Sequence, residues 1–145
     1  MKNLITIFAI CFGLGILNGQ AETETLEWLN IKKMNFTYFG TNNQYLENDW
    51  NELILDSNNI SYNGSEVRGQ AGTVYFFWNN IKEIIMPPFE ELAANEWFII
   101  KVKTNMADST VSFYTKDYIL TEKFVKALKR MAILKGAKLI NDDLF

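Results

Sequence analysis

The sequence predicts an α+β fold: an antiparallel β-meander or barrel of about seven strands, with a helix before it and an amphipathic helix capping it at the C-terminal end. Three observations carry this. From Asn35 to Lys116 apolar residues alternate with polar ones in short β-branched and aromatic runs, broken by clusters of Asn, Gly and Pro. Ahead of that region ETETLEWLNIKKM places acids in its first turn and lysines in its last, the polarity that a helix dipole favours. Behind it, EKFVKALKRMAILKG repeats its apolar residues at helical spacing.

The chain opens with MKNLITIFAICFGLGILNGQA, in which one cation, Lys2, precedes an apolar run from Leu4 to Leu17 and small residues stand at Gly19 and Ala21. This order is that of a secretory signal cleaved after Ala21, so residues 1–21 are expected to leave and 22–145 to form a single secreted or periplasmic domain. The apolar run is shorter than the roughly 20 residues that cross a bilayer, and no later segment is longer, so no transmembrane helix is expected in the mature chain. A lipid anchor on Cys11 is the rival reading. Ile10 stands before that cysteine, where a lipoprotein signal has a small residue.

Cleavage would remove the only cysteine, and the chain contains no histidine. Disulfides, thiol redox chemistry, and Ser-His-Asp or Cys-His hydrolysis are therefore excluded, and zinc loses its commonest ligands. About 124 residues would remain, enough to bury roughly two thirds of the surface that the unfolded chain exposes. Nearly half the residues are apolar, which provides a core. The mild net negative charge argues against nonspecific nucleic-acid binding.

The first helix is expected over Glu22–Met34, although Leu26, Trp28, Leu29 and Ile31 do not share one stripe. The expected strands are FTYFG, ELILD, ISY, TVYFFW, IKEIIM, WFIIKVK and TVSFYT. Asn63-Gly64 reads as a two-residue hairpin turn, because both positions of such a turn need positive φ. Met86-Pro87-Pro88-Phe89 must end a strand, since proline has no donor for the ladder, and Gly69 and Gly72 read as turn residues. In the last helix Leu120, Phe124, Ala127, Leu128, Met131 and Leu134 occupy one arc. Lys126 and Lys129 lie opposite, Lys123 and Arg130 flank, and Lys135 alone intrudes on the apolar side. Thr121 is the expected N-cap and Gly136 the left-handed stop. A sheet followed by such a helix has an open apolar face for it to cover. Each large side chain buried there contributes roughly 1.5 to 3 kcal/mol, so a cap is expected in preference to a helix lying on a membrane.

The segments FFWNNIKEII and EKFVKALKRMAILKGAK resemble those of small secreted bacterial proteins with a pleckstrin-homology-like fold. Asn80-Ile81-Lys82-Glu83-Ile84 stands at the turn-and-strand of such proteins, Val125-Lys126-Ala127-Leu128 in their closing helix, and Thr25-Leu26-Glu27-Trp28-Leu29-Asn30 at their helical start. The resemblance implies a barrel closed by a helix, and it implies little about function. Lipid-binding members of the wider fold hold phosphates with a basic first hairpin. Thr41 to Asn51 here contains Glu47 and Asp49 and no cation, so no phosphoinositide is expected.

Between Thr121 and Lys138 six cations oppose only Glu122, which concentrates positive charge on the last helix. Lys126, Lys129 and Arg130 are accordingly the candidate ligand-binding residues, for an envelope or extracellular protein, with Ile133 exposed beside them. No catalytic residue, cofactor or metal ligand is expected. Glu90 with Glu91, and Glu47 with Asp49, are carboxylates near aromatics, the raw material of a glycan-directed hydrolase, and supply the alternative to a noncatalytic binding or structural module. Asn48-Asp49 and Asp142-Asp143 lack the spaced acidic loop of a calcium site. Gly69-Gln70-Ala71-Gly72 lacks the Lys-Ser/Thr of a phosphate loop. Phe76, Phe77, Trp78, Trp97 and Phe98 are expected in the core in preference to a ligand platform, with a groove for a partner peptide under the first helix if that helix moved. The triplets beginning at Asn35, Asn59 and Asn63 match glycosylation acceptors and read here as turn chemistry.

Overall fold

A computed structural model describes residues 19–41, 45–47, 49–67, 70–87, 97–106 and 110–140. The apolar run of the expected signal, Gly69, the Pro88-Phe89 end of the strand breaker, Glu90, Glu91, Asn48 and Asp142-Asp143 lie outside the described residues. The fold is α+β. Helix α1 covers residues 19–32, beginning three residues before the expected Glu22, and passes into a 3-10 turn, Lys33–Asn35, that ends one residue beyond the expected Met34. Strands β1 (Tyr38–Thr41), β2 (Tyr45–Glu47), β3 (Leu53–Leu55), β4 (Asn59–Val67), β5 (Gln70–Phe77), β6 (Ile81–Ile85), β7 (Phe98–Thr104) and β8 (Thr110–Thr115) follow, and helix α2 (Tyr118–Leu134) comes last. All the expected strands are present; β2 is a short addition paired to β1.

The described strands form two antiparallel sheets in place of the one meander or barrel expected, a five-stranded one in the order β2-β1-β8-β7-β6 and a three-stranded meander, β3-β4-β5. Period-2 alternation sets the faces. In the small sheet Leu53, Leu55, Ile60, Tyr62 and Phe76 point inward; in the large one Phe39, Ile100, Val102, Val111 and Phe113 do so, and all are buried. Phe39 bridges the layers, its ring 5.2 Å from Tyr62 and 5.0 Å from Trp50. Helix α2 completes the core with Phe124, Leu128 and Met131, each fully buried. Phe124 lies 4.7 Å from Phe36 and 5.1 Å from Phe113, centroid to centroid.

Several local expectations change. Asn63-Gly64 does not turn a hairpin: β4 runs through it, and the register against β5 shifts by one residue between Tyr62 and Ser65. The conformational freedom that suits this pair to a turn serves here as a bulge, with Asn63 Oδ1 accepting from the Thr73 hydroxyl at 2.8 Å. Gly72 lies within β5, paired to Ser65, and is not a turn residue. The N-cap of α2 is Asp117, whose carboxylate accepts from Leu120 N–H at 2.9 Å. Thr121 is one turn inside, buried, and its hydroxyl donates to Asp117 O at 2.8 Å. The other end matches expectation. Gly136 has φ 87°, its N–H donates to Ile133 O, and Ala137 N–H reaches back to Ala132 O, the paired bonds of a Schellman cap.

Helix α1 lacks a single stripe because it serves several neighbours. Leu29 is fully buried, Trp28 leans on Phe124 at 6.1 Å, and Asn30 and Lys33 address the free edge of β3. Glu52, Ile54 and Asp56 turn their main-chain groups to β4, so those of Leu53 and Leu55 point the other way. The Asn30 amide donates to Leu55 O at 2.7 Å and its oxygen accepts from Leu55 N–H, while Lys33 Nζ donates to Leu53 O. Burial pushes the Lys33 ammonium below its ordinary 10.5. The tail after α2 treats β6 similarly. A bulge frees the Lys82 carbonyl, and Ile140 N–H donates to it at 2.7 Å.

Phe124→Ala removes the ring at the centre of this core and is expected to cost about 3 to 5 kcal/mol in urea unfolding. For Lys33 the native pKa lies below the unfolded one, so the unfolded chain holds more protons between the two values and stability rises with pH there. Wild type is expected to gain stability relative to Lys33→Met as pH rises toward 10.5, measured by unfolding at a series of alkaline pH values.

Candidate functional site

Because Phe124, Leu128 and Met131 face the sheets, the opposite side of α2 faces out. Lys123, Lys126, Ala127 and Arg130, spaced by three, four and seven residues, line a groove of about 330 Å³ between the two helices. Glu24, Thr25 and Trp28 form its α1 wall. Ala127 is short enough to leave the groove open, and Trp28 is held half-buried by its contact with Phe124. Lys123, Lys126 and Arg130 are exposed. Among the described residues, three cations of the lining therefore stand with one carboxylate beside an indole face. Arg130 offers a planar fork of donors and Lys126 a mobile point charge.

Of the candidate residues, Lys126 and Arg130 come together in this groove. Lys129 is half-buried and does not line it. Lys123, expected only at the flank, joins them. The α1 wall was not legible as a site in the sequence, since Glu24, Thr25 and Trp28 become neighbours of α2 only through tertiary packing. Lys135, the cation placed on the apolar arc, is half-buried and pairs with Glu22 at 3.0 Å, so it ties the end of α2 to the start of α1. Ile133 is exposed, as expected.

The lining offers no activated nucleophile. The Thr25 hydroxyl donates to Ala21 O at 2.6 Å, in the manner of an interior helical threonine. Among the described residues no group of three or more acidic, Cys or His side chains is gathered to hold a metal ion. Of the carboxylates considered for hydrolysis, Asp49 is exposed, and the side chain of Glu47, like Glu90 and Glu91, lies outside the described residues.

The aromatic residues divide. Phe76 and Trp78 are fully buried, the Trp78 indole donating to Asp56 O at 2.7 Å. Trp97 and Phe98 are half-buried, with Lys116 Nζ 4.9 Å from the Trp97 ring centre. Phe77, expected in the core, is instead exposed on the outer face of the small sheet. Across the first helix from the basic groove, a second depression of about 460 Å³ is bordered by Leu26, Glu27, Asn30, Ile31 and Ser57.

No helix among the described residues is long and apolar enough to cross a membrane. Comparison of the chain with protein-family models, with curated proteins and with solved structures returns no match.

The exposed cations contribute little to the fold. The double variant Lys126→Glu/Arg130→Glu is expected to lie within about 1 kcal/mol of wild type in urea unfolding, which makes it a suitable probe of binding.

Proposed function

We propose that the chain is an exported, noncatalytic binding module of the periplasm or cell exterior, related in architecture to the pleckstrin-homology-like proteins, and that its interhelical groove receives an acidic segment of an envelope or extracellular protein. The observation that carries this reading is the described lining of the groove: Lys123, Lys126 and Arg130 stand with Glu24 and the half-buried Trp28. An acidic side chain flanked by an apolar one would meet donors and an indole face together. The export proposal rests on the order of charge, apolar run and small residues before Glu22. The architectural kinship is supported by two antiparallel sheets with a C-terminal helix packed against the larger one.

The alternative, a glycan-directed hydrolase, draws no observation from the described residues.

The test is fluorescence anisotropy of a labelled peptide rich in Glu and Phe. Binding is expected to weaken at least about tenfold when Lys126 and Arg130 are both reversed to Glu, and to fall between low salt and about 0.5 M salt, because the charges are exposed and screened. Affinity that is unchanged by the reversal would dismiss the groove.

A further inference from the structure

The outer face of the three-stranded sheet does not look like a face meant only for water. Register places Asn59 opposite Phe77 in one row and Ile54, Ser61 and Tyr75 across the next. Directly opposed residues of an antiparallel pair share a face. Phe77 is 44% exposed, Tyr75 52% and Ile54 41%, and the Phe77 and Tyr75 rings lie 6.1 Å apart and within 18° of parallel. Next to Phe77 a pocket of about 350 Å³ is lined by Asn58, Asn59, Asn79 and Lys135.

One group in that pocket is unsatisfied. Asn59 is 92% buried, taking its 8% exposure from the whole, and its Oδ1 has no hydrogen-bond partner. Buried polar atoms in folded proteins are paired in the great majority, so an orphan acceptor at a pocket wall points to a donor that arrives with a ligand. The backbone around it is fixed. Asp56 accepts from the N–H groups of both Asn58 and Asn59, and Trp78 N–H donates to Asn58 O at 3.2 Å. The side chains of Asn58 and Asn79, which line the pocket with Asn59, are exposed; Asn59 Oδ1 itself is closed to solvent, so a ligand hydroxyl reaches it only when these side chains turn aside.

We propose that this face is a saccharide-binding site, in which the Phe77 and Tyr75 rings receive the C–H surface of a neutral sugar and Asn59 Oδ1 accepts from one of its hydroxyls. The chemistry of the lining selects this ligand. The polar groups are neutral amides, each able to donate and to accept, which matches hydroxyls that do the same. Lys135 is the one cation of the lining and is already paired with Glu22, so an anionic ligand, a nucleotide included, finds no uncommitted charge there. The apolar residues are interrupted by Asn59 and Ser61, too finely mixed for the continuous apolar centre of a protein interface. The electron-rich ring faces suit weakly positive C–H groups. The site lies on the small sheet and is independent of the interhelical groove.

The experiment is a heteronuclear NMR titration of the chain with soluble cello-, malto- and chito-oligosaccharides at millimolar concentration, following the side-chain amides of Asn58, Asn59 and Asn79 and the backbone of Tyr75 and Phe77. At least one saccharide class is expected to shift these signals. Phe77→Ala and, separately, Tyr75→Ala are expected to weaken the response about tenfold, Phe77→Tyr to keep it, and Lys126→Glu/Arg130→Glu to leave it unchanged. Both ring positions are exposed, so a folded spectrum is expected from each variant. The proposal is overturned if no saccharide shifts the signals, if the shifts survive both alanine variants, or if they map to the helical groove. It is overturned equally if sedimentation shows this face pairing two copies of the chain, with self-association lost in Phe77→Ala and no saccharide response.

Discussion

The burial of Phe124 is the constraint on which the rest of the structure depends. Its ring packs with Phe36 ahead of β1, Phe113 on β8 and Trp28 on α1, so one side chain of α2 joins three other parts of the chain. Two twisted sheets of five and three strands leave an apolar opening where their inner faces diverge, and only a helix with a wide apolar stripe satisfies it. Aromatic pairs at these separations add about 0.5 to 1.5 kcal/mol each beyond the area they bury. With that face committed to the core, helical geometry leaves no choice about the other. The cations of α2 must stand outward, and Trp28, fixed against Phe124, must stand beside them.

Much of this was legible in the sequence because it is periodic. Strand positions follow from alternation, and the stripe of α2 follows from spacing; Leu120, Phe124, Leu128 and Met131 are buried where that spacing puts them. What was not legible depends on competition between equivalent local signals. Asp117 and Thr121 are both plausible caps one turn apart, and the helix begins at the earlier because Asp117 can accept from Leu120 N–H while Thr121 is needed inside, fully buried. Asn63-Gly64 suits any conformation of positive φ, and the pair cannot announce whether it will turn the chain or only bulge it. The meander was visible, but its division into two sheets was not, since pairing of β1 with β8 spans most of the chain and leaves no local mark.

The candidate sites divide along the same line. The half of the groove built by α2 was readable, because Lys126 and Arg130 share a helix face. The half built by α1 was not, because its residues face α2, the core and the edge of β3 at once and show no common period. Phe77 makes the complementary point. In TVYFFW both strand faces are apolar, which reads as a strand covered on both sides, yet β5 covers only one with the core and presents Tyr75 and Phe77 outward.

Helix α1 has a consequence for how the molecule would fail. Asn30 and Lys33 occupy the outward main-chain groups of Leu55 and Leu53, and so hide a strand border that would otherwise recruit a strand from another molecule. Detachment of that helix would not simply loosen the fold; it would expose the border of β3 as a template for intermolecular β-pairing. The two polar side chains thus act as a guard against self-assembly, and damage to them would first be noticed as turbidity while the remaining core was still intact.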